Sequence, residues 1–202
     1  MGIKNTPTDG YPLASATEYN GYMATTQGKL LIASPRLVDP NFMRTVVLMV
    51  QHNEQGALGL VLNRPLELTV RDACKESLPE QCDVDQVLHQ GGPCQGPLMV
   101  IHANELSKDS DVFPGVYFTT ERGKIELLLR QPDARARYFV GYSGWGPGQL
   151  EAEMEVESWL VAPADSSMIF DGKSNLWSKL MTLRRMEHPT DLSNSPDNPS
   201  MN

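Results

Sequence analysis

Two runs of apolar, β-favouring residues, Thr45-Val46-Val47-Leu48-Met49-Val50 and Ala57-Leu58-Gly59-Leu60-Val61-Leu62, stand on either side of Asn53-Glu54-Gln55-Gly56. Each run is too short for an ordinary helix, and the residues between them carry turn chemistry, so the pair predicts a hairpin. Gly28-Lys29-Leu30-Leu31-Ile32-Ala33, stopped by Ser34-Pro35, predicts a further buried strand. Val87-Leu88-His89, Leu98-Met99-Val100-Ile101-His102, Val116-Tyr117-Phe118-Thr119, the Arg137–Tyr142 segment and Trp159-Leu160-Val161-Ala162 add to the strand set.

Helical spacing appears between these runs. Thr69 with Asp72 predicts a capped helix carrying Val70, Ala73, Cys74 and Leu78 on one side and ending near Pro79. Thr120 is expected to cap a second, with Ile125, Leu128 and Leu129 as its stripe. A third begins after Pro147-Gly148, with Leu150 and Met154 on its face, and Ser174 is expected to cap a last one burying Trp177, Leu180, Met181 and Leu183. Strands and helices mix without a βαβ rhythm, so the class is α+β.

Composition sets the outer limits. With 202 residues and 40% hydrophobic content there is material for one core. It is expected in a single domain over residues 27–188, between a flexible arm (1–26) and a disordered tail (189–202) rich in proline and small polar residues. A formal charge of −8 opposes unspecific attraction to nucleic-acid phosphates, and Arg184-Arg185, Arg135 and Arg137 form only short basic clusters. No apolar stretch reaches the roughly 20 residues of a membrane span, so the expected location is the cytoplasm. Cys74, Cys82 and Cys94 are odd in number and lack metal-type spacing, so neither a disulfide framework nor a metal site is assigned, and no cofactor. Cys74 belongs to a helix face, Cys82 and Cys94 to loops.

The candidate chemistry is sparse. Asn63-Arg64-Pro65 places an amide and a five-donor guanidinium at a strand end, able to hold a carboxylate or phosphate or to cap carbonyls. Gly141-Tyr142-Ser143-Gly144-Trp145-Gly146-Pro147-Gly148 reads as strand, glycine loop, then helix, either an anion cradle or a tight connection anchored by Trp145. It fits neither a phosphate-binding loop nor a nucleophile elbow. His52, His89 and His102 lie in or beside strands; His52 and His102 are the candidate general bases, with Arg64 as anion stabiliser. Glu151, Glu153, Glu155 and Glu157 read as a solvated acidic face.

Several of these segments, taken in order, resemble the YqgE/AlgH family: Gly28–Ala33, Asp39-Pro40-Asn41-Phe42-Met43-Arg44-Thr45-Val46-Val47, Gly56–Pro65, Gly91-Gly92-Pro93 and Gly141–Glu151. The resemblance spans the whole body. It implies a bacterial cytoplasmic protein built on a mixed, bifurcated and partly barrel-like β-sheet surrounded by helices. It implies less about activity, since members are described as uncharacterised or as transcriptional regulators. Cys94, where an aliphatic residue is more usual, and the long polar tail depart from the pattern. The expected function is a non-enzymatic binding or regulatory module that engages a protein partner or small anion through Asn63, Arg64, Gly91, Gly92, Gly144, Trp145 and Gly146. The alternative is a hydrolase or transferase using a histidine base.

Overall fold

The computed structural model describes residues 25–75, 82, 84–171 and 175–187. In chain order its strands are β1 (Lys29–Ala33), β2 (Val46–Asn53), β3 (Gly56–Val61), β4 (Pro65–Thr69), β5 (Val87–Gln90), β6 (Cys94–His102), β7 (Ser110–Phe113), β8 (Val116–Thr119), β9 (Ala136–Trp145) and β10 (Trp159–Pro163). The helices are α1 (Val70–Cys74), α2 (Arg122–Leu129), α3 (Gln149–Glu155), α4 (Ser166–Phe170) and α5 (Leu176–Glu187).

The expected hairpin is present, with Asn53 opposite Gly56, and an extra residue between Met49 and Gln51 bulges β2. The main path runs β10-β1-β2-β3-β9-β6-β8-β7, and curls into a half-barrel. It branches at β9. The first half of that strand pairs antiparallel with β6 and parallel with β5, whereas Ser143–Trp145 pair antiparallel with β3. The fold is α+β, with this one parallel pair among antiparallel neighbours.

Unbroken apolar strands are explained by burial on both faces. Inside the curl, Leu30, Ile32, Leu48, Leu60, Ile101 and Phe139 pack together and are closed by Ile169 of α4 and Leu176 and Leu180 of α5. Outside, Leu31, Val47, Val61, Trp145 and Trp159 pack under Leu150 of α3 and Phe42 of the 34–45 loop. The other outer face carries Val100 and Tyr138 under α1 and α2, through Val70, Cys74, Ile125, Leu128 and Leu129.

Several local expectations change. Ser143-Gly144-Trp145 is strand, not loop, because Ala57–Gly59 offer it a free edge. Thr120 does not cap α2; the Asp109 carboxylate, from the turn before β7, accepts from Thr120 N at 2.7 Å and Glu121 N at 3.1 Å instead. Cys94 opens β6 rather than sitting in a loop, and Leu183 is 42% exposed. Thr69 does cap α1 through Asp72 N at 3.1 Å, but α1 closes at Cys74. Leu78, Pro79, Ser174, the 189–202 tail and all but the last two residues of the 1–26 arm lie outside the described residues. Strands β4 and β7 and helix α4 carry no run or spacing that predicts them.

Candidate functional site

The turn after β3 is built from Asn63 and Arg64. Asn63 Oδ1 accepts from Val46 N at 2.8 Å and its Nδ2 donates to Arg44 O at 2.8 Å, so the amide spends both ends on pinning the start of β2. Arg64 Nη2 donates to Pro40 O at 3.0 Å, and Arg64 O accepts from Gln90 N at 2.9 Å. That bond brings β5, and with it Gly91 and Gly92, beside the turn. Gly91 N donates to Val140 O and Gly91 O accepts from Val61 N, each at 2.9 Å. A Cβ on Gly91 would lie 2.3 Å from Gly141 O, and one on Gly92 2.3 Å from the Tyr142 carbonyl carbon. These glycines permit the backbone contact that lets β9 branch.

Gly144, Trp145 and Gly146 stand at the other end of β3, where Trp145 pairs with Ala57. Six residues of extended chain separate Ala57 from Asn63, roughly 20 Å. The 34–45 loop joins the two ends: Pro40 meets Arg64, while the Phe42 ring stacks on Trp145 at 5.9 Å. Trp145 is 5% exposed and its Nε1 donates to Glu153 Oε2 at 2.9 Å, the oxygen that also accepts Trp159 Nε1 at 2.8 Å. Gly146 N donates to Gln149 Oε1 at 3.1 Å. Glu153 therefore leaves the solvated face expected for the glutamate row.

Glu151 leaves it too. Thr26 N donates to His52 Nδ1 at 3.1 Å, so the proton is assigned to Nε2, which faces Glu151 Oε1 at 2.7 Å. Thr26 Oγ1 lies 2.9 Å from Nδ1, giving a hydroxyl, imidazole and carboxylate in sequence. The order resembles a nucleophilic triad, but Thr26 is 1% exposed and its own amide occupies the imidazole lone pair. The hydroxyl is buried and the imidazole lone pair is already engaged. Instead the group ties Thr25 and Thr26 to β2 and α3.

His102 is fully buried, and neither ring nitrogen has a hydrogen-bond partner. Burial holds its pKa below the ordinary histidine value, opposed by the Asn104 backbone and then the Asp109 charge, and helped by Lys124. Neither candidate base is assembled with Arg64. His52 stands at the far end of β2 from Val46, and His102 pairs with Ala136 and Tyr117 near α2. No three His, Cys, Asp or Glu side chains among the described residues converge to hold a metal ion.

The surface beside Arg64 is shaped differently. Ser34, Arg36, Leu37, Val38, Asp39, Pro40, Val156, Glu157 and Ser158 line an open hollow of about 520 Å³. Val38 is 84% exposed and Val156 74%. Glu157, in the lining, and Arg44, near the end of the 34–45 loop, have left-handed backbones with φ of 56° and 58°, which sequence patterning does not single out.

A second group missed in the sequence lies at the opposite face of the turn. Arg137, read there as part of a basic cluster, is 7% exposed and donates to Leu62 O at 2.6 Å and Ile169 O at 2.9 Å. Next to it, His89 is lowered to about 4 by burial and then by the Arg137 charge.

Comparison with known proteins agrees with this architecture. The chain belongs to the AlgH-like family, whose model matches residues 30–189. A UPF0301 protein of Chlorobium luteolum is 38% identical over 191 residues, covering 91% of this chain and 98% of the relative. One from Methylocella silvestris is 40% identical over 168 residues, covering 75% and 81%. Among solved structures, the solution structure of the AlgH protein from Pseudomonas aeruginosa is similar with a TM-score of 0.68 and 31% identity, over 82% of this chain and 92% of that one. The crystal structure of protein DIP2367 from Corynebacterium diphtheriae has a TM-score of 0.64 and 25% identity, over 82% and 89%. No helix among the described residues is long and apolar enough to cross a membrane.

Proposed function

We propose that this AlgH-like chain is a non-enzymatic recognition module of the cytoplasm that captures a protein partner on the surface formed by the 34–45 loop, the Asn63-Arg64 turn and Val156. One observation carries the reading. The two candidate bases are internal, His52 holding Thr26 and Glu151 and His102 fully buried, while exposed apolar residues and Arg36 line the hollow and Arg64 is bonded to Pro40 at its edge. Val38 and Val156 supply apolar contact, and Arg36 and Arg64 supply cations on a chain whose overall charge is −8. The Arg36–Glu157 pair, at 4.0 Å between highly exposed groups, opens at little cost. The partner chemistry that fits is an apolar segment flanked by acidic residues. Trp145, Gly144 and Gly146 serve the surface from behind, through the stack of Trp145 under Phe42. Any effect on transcription then passes through the partner, not through direct contact with DNA.

The test places a photo-crosslinking amino acid at Val38 or Val156 in the full chain, with Leu106, 94% exposed and remote in the fold, as control. The expected result is one discrete adduct from positions 38 and 156, suppressed by Arg64→Glu and absent from position 106. Equal labelling at 106, or none at 38 and 156, overturns the assignment. A low-salt gel shift that retards DNA strongly would move the reading to a direct regulator.

A further inference from the structure

Among the described residues, Arg137 is the one lysine or arginine that is buried. A guanidinium carries five N–H donors, and here two go to the carbonyls of Leu62 and Ile169. The Phe139 ring lies 5.5 Å from the cation and adds a weak attraction. No carboxylate among the described residues compensates the charge, and burial alone lowers its pKa to about 10. A buried cation left this way is costly unless something completes it.

Beside it is a second incomplete group. Register places His89 opposite Phe139, the two rings are 5.7 Å apart, and His89 Nδ1 is buried without a hydrogen-bond partner. Arg137 and His89 line one groove of about 350 Å³, together with Gln86, Val87, Arg135 and Phe170. Asp171 also lines it, but at the exposed rim, where it pairs with Arg135 at 3.6 Å. The Arg135 guanidinium lies 5.0 Å from the Phe170 ring centre. The interior of the groove therefore offers N–H donors and a neutral imidazole to an incoming group, and its walls offer apolar surface.

We propose that this groove binds a small molecule bearing an oxyanion, its carboxylate or phosphate oxygens taking the free N–H groups of Arg137 and facing His89, with its organic part against Val87 and Phe170. The oxyanion supplies the countercharge that Arg137 lacks, in a setting where charge-assisted hydrogen bonds are strong. His89 suits either form of ligand, since a neutral imidazole presents one N–H and one lone pair. The site lies across the turn from the protein-recognition surface and stands independently of it.

The experiment is an NMR titration of the full chain with inorganic phosphate, and separately with acetate, at constant ionic strength against chloride. The expected result is saturable shifts confined to the Arg137 side-chain Nε–H and the amides of residues 86–91 and 134–137. Saturation by phosphate alone assigns a phosphorylated ligand, and by acetate alone a carboxylate. Arg137→Met is expected to weaken binding at least tenfold. Because that variant removes two internal hydrogen bonds and can unfold, His89→Gln and the exposed Arg135→Ala are measured as well, each expected to weaken binding about threefold or more. Shifts that stay linear and spread over surface basic residues, or affinity unchanged in both milder variants, overturn the site.

Discussion

The two ends of β9 handle polar groups in opposite ways. At its C-terminal end Trp145, with neighbouring Trp159 and His52, has every buried donor matched by a glutamate of α3, and Thr26 takes the remaining imidazole nitrogen. At its N-terminal half lie the four buried side-chain polar atoms without partners among the described residues: His89 Nδ1, both His102 nitrogens and Tyr138 Oη. A satisfied buried network rigidifies a fold, whereas an unsatisfied one lowers its stability and is where a ligand has most to add. The comparison therefore separates an end whose buried polar groups are satisfied from one where several are not.

The largest test of that division is Glu153→Ala. It strands two buried indole N–H groups at once, and the expected loss is about 3 kcal/mol in urea unfolding. A loss below about 1 kcal/mol would show that ring packing with Phe42 holds the tryptophans without the carboxylate. At the other end, pH supplies the test of similar size. The folded pKa of His89, about 4, lies below the ordinary unfolded value, so its stabilising contribution is complete above about pH 6.5 and is lost as pH falls through 4. Allowing for solvent screening of the partly exposed ring, the native chain is expected to lose about 2 kcal/mol more than His89→Gln between pH 7 and 4. Equal losses would place His89 in contact with solvent.

His52→Leu follows, with an expected cost of about 2 kcal/mol, since it leaves the Thr26 amide and Glu151 without their partner. Hydrogen exchange at the Thr26 amide should accelerate with it. Exchange that stays slow would mean that the Thr25–Thr26 segment is held by backbone contacts alone.

These groups mark where sequence reading stops. Core strands such as Val46–Val50 and Leu58–Val61 were legible because apolar runs of that length have few other uses. Strand β4, Pro65-Leu-Glu-Leu-Thr, and strand β7, Ser110-Asp-Val-Phe, were not, because edge strands carry polar residues and depend on a partner far along the chain. The same distance hides the site: His52 and Glu151 are 99 residues apart, and the glutamate row looks solvated until β3 brings β9 and α3 against β2. Arg137 left one usable trace. It stands two residues before Phe139, so in a strand both share a face, and that face is core. The turn at Asn63 and Arg64 was singled out from its donors, but which carbonyls those donors meet follows only from the path of the 34–45 loop.

The smallest expected effect has the opposite sign. Tyr138 is fully buried on the outer face of β9, its hydroxyl has no partner, and burial pushes its pKa upward, with the thiols of Cys82 and Cys74 adding to the push. Removing an unsatisfied hydroxyl while keeping the ring relieves a desolvation cost and leaves no cavity of consequence. Tyr138→Phe is therefore expected to stabilise the chain by about 1 kcal/mol, read as a higher urea midpoint at unchanged slope. Substitutions at the C-terminal end of β9 should all destabilise, because each removes a satisfied bond. A Tyr138→Phe variant that loses stability would mean that a partner, such as an internal water, completes this half as well. The two ends of β9 would then differ only in where their partners come from.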